Sequence, residues 1–135
     1  MALQYSVSVR NAQLDAFETA VGTSAILRIR TGVPPATCAT ADSGTVLATM
    51  TLPTDWMAAA SSGSKALSGT WQDTSADATG TAGHFRIYDS AGTTCHAQGT
   101  ITATGGGGDM TLDNTSIATG QAVSVTTFTL TAGNS

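Results

Sequence analysis

Side chains able to do chemistry are few and dispersed in this chain: five Lys and Arg, nine Asp and Glu, two His and two Cys among 135 residues. Catalysis needs groups that titrate, attack or hold a metal at defined spacing. Cys38 and Cys95 make no CxxC pair, and with His84 and His96 they give no zinc-site spacing. Cys95 and His96 are adjacent, and neighbours on a strand point to opposite faces, so the two do not share an ion without a bulge. Asp109, Asp113 and Asn114 offer the oxygen ligands calcium takes, but their spacing is not that of an EF-hand loop, and Asp-Asn is equally good turn chemistry. Asp73, Asp77 and Asp89 read the same way. Ser62-Gly63-Ser64 is not the Gly-x-Ser-x-Gly elbow of a hydrolase. Gly105 to Gly108 lacks the lysine of a phosphate loop and is expected to be a hairpin tip or a close backbone crossing. Glu18 is the sole glutamate, so a glycosidase carboxylate pair would have to be assembled from loop aspartates. These residues predict a protein that is not an enzyme, with no cofactor and no metal.

Aromatic residues allow one binding chemistry. Trp56 and Trp71, with Tyr88 and His84, could furnish a platform for a sugar ring. Aromatics are only 5% of the chain, however, and a core of this size needs its large rings to fill space. Core packing is therefore the expected role of both tryptophans. A carbohydrate-binding β-sandwich module of a fibre or tail is the alternative function.

The bulk composition narrows the class further. At 135 residues one domain is expected, spanning residues 1–135, with residues 1–22 as an N-terminal arm and helix. Only 10% of residues are charged, Lys65 is the single lysine, and the net charge is -4, so there is no basic stripe to displace counterions from nucleic acid. Apolar segments are short and interrupted, which argues against a membrane span. The opening MALQYSVSVR has neither a basic n-region nor an apolar h-region, so synthesis and folding in the cytoplasm are expected. In that compartment Cys38 and Cys95 are expected as free, buried thiols, with a disulfide as the alternative if the finished protein lives outside a cell. The low charge density also suits a large buried interface, because interface cores are depleted of charge.

The elements that would position these residues are one helix and many strands. Leu14, Phe17, Ala20 and Val21 recur at helical intervals over about residues 9 to 21, with Ser8 or Asn11 as cap and Gly22 as stop. The polar side of that helix, with Arg10, Asp15 and Glu18, reads as a solvated surface. Tyr5, Val7 and Val9 alternate ahead of it and suit strand addition to a partner, with Arg10 beside them. The period then switches to two. Strands are expected over 25–31, with Leu27 and Ile29 opposite Arg28 and Arg30, then over 45–52, 65–72, 84–88, 93–103, 109–112 and 123–131. Trp56 to Ala60 is a turn of helix or a loop plug, and Asp73 to Gly83 a loop. Asp89-Ser90-Ala91-Gly92 is the clearest hairpin turn. About seven or eight short strands at roughly ten-residue spacing predict an all-β fold, an antiparallel β-sandwich or jelly roll with one short N-terminal helix.

Four stretches carry a resemblance over nearly the whole chain: Ala2 to Ala12, Ile26 to Gly32, Gly83 to Tyr88 and Gly120 to Val125. They look like segments of small proteins encoded among the virion genes of tailed bacteriophages. In size and β-rich composition the chain is similar to the capsid cement, or decoration, proteins of short-tailed phages. That resemblance implies a structural protein of the virion that binds the outer capsid surface as a jelly-roll-like homo-dimer or homo-trimer. Its partner would be the major capsid protein, and its role to bridge capsid subunits and stabilise the head. No catalytic residue is implied.

Overall fold

The computed structural model describes residues 3–132, in which one helix is followed by ten strands. Helix α1 (Val7–Val21) opens at Ser6, whose hydroxyl accepts from the Val9 amide at 3.2 Å, and it closes at Gly22, a positive-φ residue whose amide reaches back to the Glu18 carbonyl. The cap is thus Ser6, two residues ahead of Ser8. Val7 and Val9 are helical, which rules out their pairing as an added strand in this conformation.

A sheet of six strands forms the body. Its order is β2 (Val46–Thr51), β1 (Ile26–Thr31), β5 (Gly80–Tyr88), β6 (Cys95–Ala103) and β7 (Met110–Leu112), with β8 (Ser116–Ile117) pairing the start of β5. All pairings are antiparallel except β6 with β7. Two small antiparallel pairs complete the chain, β3 (Ser64–Ala66) with β10 (Thr129–Thr131) and β4 (Trp71–Asp73) with β9 (Val123–Val125). The fold is mainly β with one short helix, as composition and periodicity predict. The strand expected over 65–72 is broken at Gly69, whose φ is +74° and whose missing Cβ would stand 2.8 Å from Pro53 Cγ. The strand expected over 123–131 is broken where Phe128 turns into the core.

Alternation divides the body sheet into two unlike faces. Leu27, Ile29, Phe85, Ile87 and Ile101 lie on one face and are all buried. Rings cover them in a continuous chain: Phe17 meets Trp56 at 5.7 Å, Trp56 meets Trp71 at 5.9 Å, and Phe128 lies 5.6 Å from both Trp71 and Phe85. The helix and the body sheet are therefore tied through aromatic contacts. The other face carries Arg28, Arg30, His84, Arg86 and Tyr88, and it too is largely closed, by the segment that follows β1.

Lys65 shows how the helix docks. It is 2% exposed, and its ammonium reaches Asp15 at 2.7 Å, Glu18 at 3.0 Å and the Ala58 carbonyl at 2.9 Å. Burial works to lower the Lys65 pKa, but its bonds to the two carboxylates outweigh this and raise it. Asp15 and Glu18 also accept from the amides of Ala60 and Met57, and Asn11 accepts from that of Gly63. The polar side expected to be solvated is instead the docking side, because these side chains meet the backbone donors and the lysine beneath them.

Close backbone crossings explain several glycines. Gly106 and Gly108 lie against Thr102 as the chain folds back between the parallel strands β6 and β7, so the glycine run is a crossing and not a phosphate cradle. A Cβ on Gly83 would stand 2.2 Å from the Gly32 carbonyl oxygen. Gly83→Ala is accordingly expected to destabilise by about 1–3 kcal/mol, since the obstacle is backbone. Urea unfolding would measure this, and a change below about 0.5 kcal/mol would contradict the crossing.

Candidate functional site

The polar face of the body sheet holds the densest cluster of titratable groups. Cross-strand pairing sets Arg28 beside Arg86, and Arg30 beside His84. The segment from Gly32 to Thr45 then lays Asp42 over them. Asp42 takes Arg86 Nη1 at 2.5 Å, Arg30 Nη2 at 3.1 Å and the Tyr88 hydroxyl at 2.6 Å. Arg86, 2% exposed, spends its remaining donors on Gln98 Oε1 and on the carbonyls of Thr37 and Thr40. Arg28 lies 4.7 Å over the Tyr88 ring and donates to the Gly92 carbonyl.

The electrostatics follow from two guanidinium groups sharing one carboxylate. Burial tends to raise the Asp42 pKa, but the Tyr88 hydroxyl and the arginines outweigh it and hold the carboxyl below 3.8. Burial, aided by the bond to Asp42, raises Tyr88 above 10, so the phenol stays protonated and donates. Fully engaged in this way, Arg86 and Tyr88 act as a clamp on the 37–42 segment.

Two sulfurs sit at the rim of the clamp. Cys38, carried by the same segment, and Cys95, at the start of β6, are free thiols with their sulfurs 3.0 Å apart. Both are half-buried, less enclosed than the sequence suggests. A pocket of about 230 Å³ opens between them, lined also by Thr40, Asp42, Arg86 and Tyr88. Burial, with the bond to Cys38, pushes the Cys95 thiol up to about 12. Nothing in the residue spacing announces this constellation, because it joins positions from three separate segments.

The residues singled out from sequence fall elsewhere. Trp56 and Trp71 are 0% and 1% exposed, so neither offers a face to a sugar, and the platform reading is corrected to core packing. Their indole N–H groups donate to the Gly22 and Trp56 carbonyls. His84 is fully buried with Nδ1 donating to the Gly32 carbonyl, whereas His96 is exposed. The loop aspartates serve the backbone: Asp109 holds the Thr100 amide, Asp73 the amides of Thr49 and Ser75, and Asp89 those of Thr93 and Thr94. Among the described residues no three His, Cys, Asp or Glu groups gather as a metal site.

At the N-terminus every residue from Leu3 to Val9 is exposed, with Tyr5 at 42%, Val7 at 46% and Val9 at 43%. Arg10, half-buried, is turned inward, with its guanidinium beside Gly63 and 3.5 Å from the Ala132 carbonyl. The body sheet's outer strand β2 is not open along its length, since the Asp73 carboxylate accepts from the Thr49 amide and the Asp77 amide donates to the Leu47 carbonyl. Such cover blunts the edge that strand addition would need.

No protein-family model matches the chain, and neither a curated protein nor a solved structure is significantly similar to it.

Proposed function

We propose that the protein is a non-enzymatic virion component, a capsid cement protein that binds the outer surface of a phage head and bridges major capsid protein subunits. The observation that carries this reading is the exposed N-terminal segment, in which Val7 and Val9 present apolar side chains on the free end of α1. Leu3, Tyr5, Val7 and Val9 gather four exposed apolar side chains in one short segment, and in a chain so poor in charge that suits an interface more than a solvated surface. The choice of a phage capsid as the partner rests on the resemblance expected from four stretches of the sequence. In this reading the two small sheets close over the apolar face of the body sheet as the second wall of a jelly-roll-like sandwich, and the protein acts as a homo-dimer or homo-trimer. Many copies of a modest contact then stabilise the head collectively.

Purified particles provide the test. Copy number near that of the major capsid protein is expected, and a few copies per particle would point to a tail or portal part. Val7→Glu with Val9→Glu should leave the fold intact, because both side chains are exposed, and should lower capsid binding at least tenfold. Unchanged binding by this variant would remove the N-terminal segment from the contact.

A further inference from the structure

Cys38 and Cys95 are 57 positions apart in the chain, yet the fold places sulfur against sulfur at 3.0 Å. A disulfide needs about 2.05 Å, so closure requires a side-chain movement of about 1 Å and no rearrangement of the sheet. The pocket at the clamp's rim reaches both thiols, and both are partly exposed, so a small reagent has access. We propose that this pair is a thiol–disulfide exchange site: a low-molecular-weight disulfide such as oxidised glutathione converts it to a Cys38–Cys95 disulfide, which fastens the 37–42 segment to β6.

The geometry assigns an order to the two sulfurs. Cys95 donates its S–H toward Cys38, which leaves Cys38 as the accepting sulfur and the one free to attack first. Cys38 loses its proton to water and its thiolate attacks one sulfur of the small disulfide, whose S–S bond breaks and releases one glutathione thiolate, which takes up a proton from water. With Cys38 then in a mixed disulfide, its hydrogen bond and charge no longer hold the proton on Cys95, while Arg86 favours the thiolate. Cys95 loses its proton to water and attacks the Cys38 sulfur, and the second glutathione leaves as a thiol after protonation. Two protein thiols are oxidised by two electrons, and one small disulfide is reduced to two thiols.

Closure would lock the carbonyls of Thr37 and Thr40 over Arg86, and the inference does not depend on the virion reading. The test uses the full chain, reduced, then incubated with oxidised glutathione and followed by mass measurement and thermal unfolding. Expected are a product lighter by two hydrogens with no free thiol, and a Tm higher by roughly 10 °C than that of the reduced protein. Cys95→Ser should accumulate a glutathione adduct on Cys38, and Cys38→Ser should react at least tenfold more slowly. Far-ultraviolet circular dichroism verifies that both variants fold, and a folded Cys38→Ser/Cys95→Ser protein should show neither product nor shift. Persistent adducts on both cysteines, cross-linked dimers, no reaction, or a disulfide that leaves Tm unchanged would each overturn the proposal.

Discussion

Arg86→Ala is expected to cost about 3–5 kcal/mol of stability, among the largest effects available to a single substitution here. The guanidinium is almost wholly enclosed and satisfies Asp42, Gln98 and the carbonyls of Thr37 and Thr40 at once. Truncation strands those acceptors beneath the segment and leaves Arg30 as the sole cationic partner of Asp42. Arg86→Lys should recover little, because one ammonium cannot reproduce a planar fork serving four acceptors. Asp42→Ala should cost less, about 2–3 kcal/mol, since its side chain is 39% exposed and water screens what remains. The same carboxylate makes stability depend on pH. Its folded pKa is held below 3.8, so its contribution is complete above that value and is lost as pH falls through the lower folded value. Urea unfolding between pH 2 and 5 would show a slope in wild type that is smaller in Asp42→Ala, and equal slopes would remove Asp42 as its source.

Trp71→Ala should have a comparable effect, about 3–5 kcal/mol, which corresponds to a fall in Tm of roughly 10–20 °C. Trp71 is the middle ring of the chain that joins α1 to the body sheet, with Trp56 on one side and Phe128 on the other. Its N–H also ties the Trp56 and Ser68 carbonyls at 3.1 and 3.2 Å. Trp71→Phe should lose less, because a ring still fills most of the space while two carbonyls lose a donor. The purified protein should leave a glycan array blank. Saturable sugar binding abolished by Trp56→Ala or Trp71→Ala in a still-folded protein would restore the carbohydrate reading and sink the structural one.

Local pattern was enough for the elements whose causes are local. The helix stop at Gly22, the alternation of Leu27 and Ile29 against Arg28 and Arg30, and the Asp89 to Gly92 turn follow from residue type and spacing within a few positions. The helix start was misplaced because Ser6 and Ser8 are both good caps, and the choice rests on which hydroxyl reaches the amide three residues on. Strand β5 begins at Gly80, inside the expected loop, because its first residues pair with Ile117 and Ser116, a short partner that carries no pattern of its own. Helix charges read as solvated because amphipathicity records only where apolar residues lie. It does not record that Lys65 and three backbone amides wait beneath Asn11, Asp15 and Glu18.

Composition and period by themselves decided that the chain is mainly β with one helix, that its two tryptophans pack in the core, and that Asp89 forms a turn. Each of these depends on side-chain volume or on hydrogen bonds between near neighbours. Tertiary structure alone decided that Asp42 gathers Arg30, Arg86 and Tyr88, that Lys65 is buried, and that Cys38 meets Cys95. The reason is that burial of a charge is tolerated only where partners arrive from elsewhere in the chain. Which segments arrive is set by strand register and by the path of the 32–45 segment across the sheet, and neither is encoded in any single stretch.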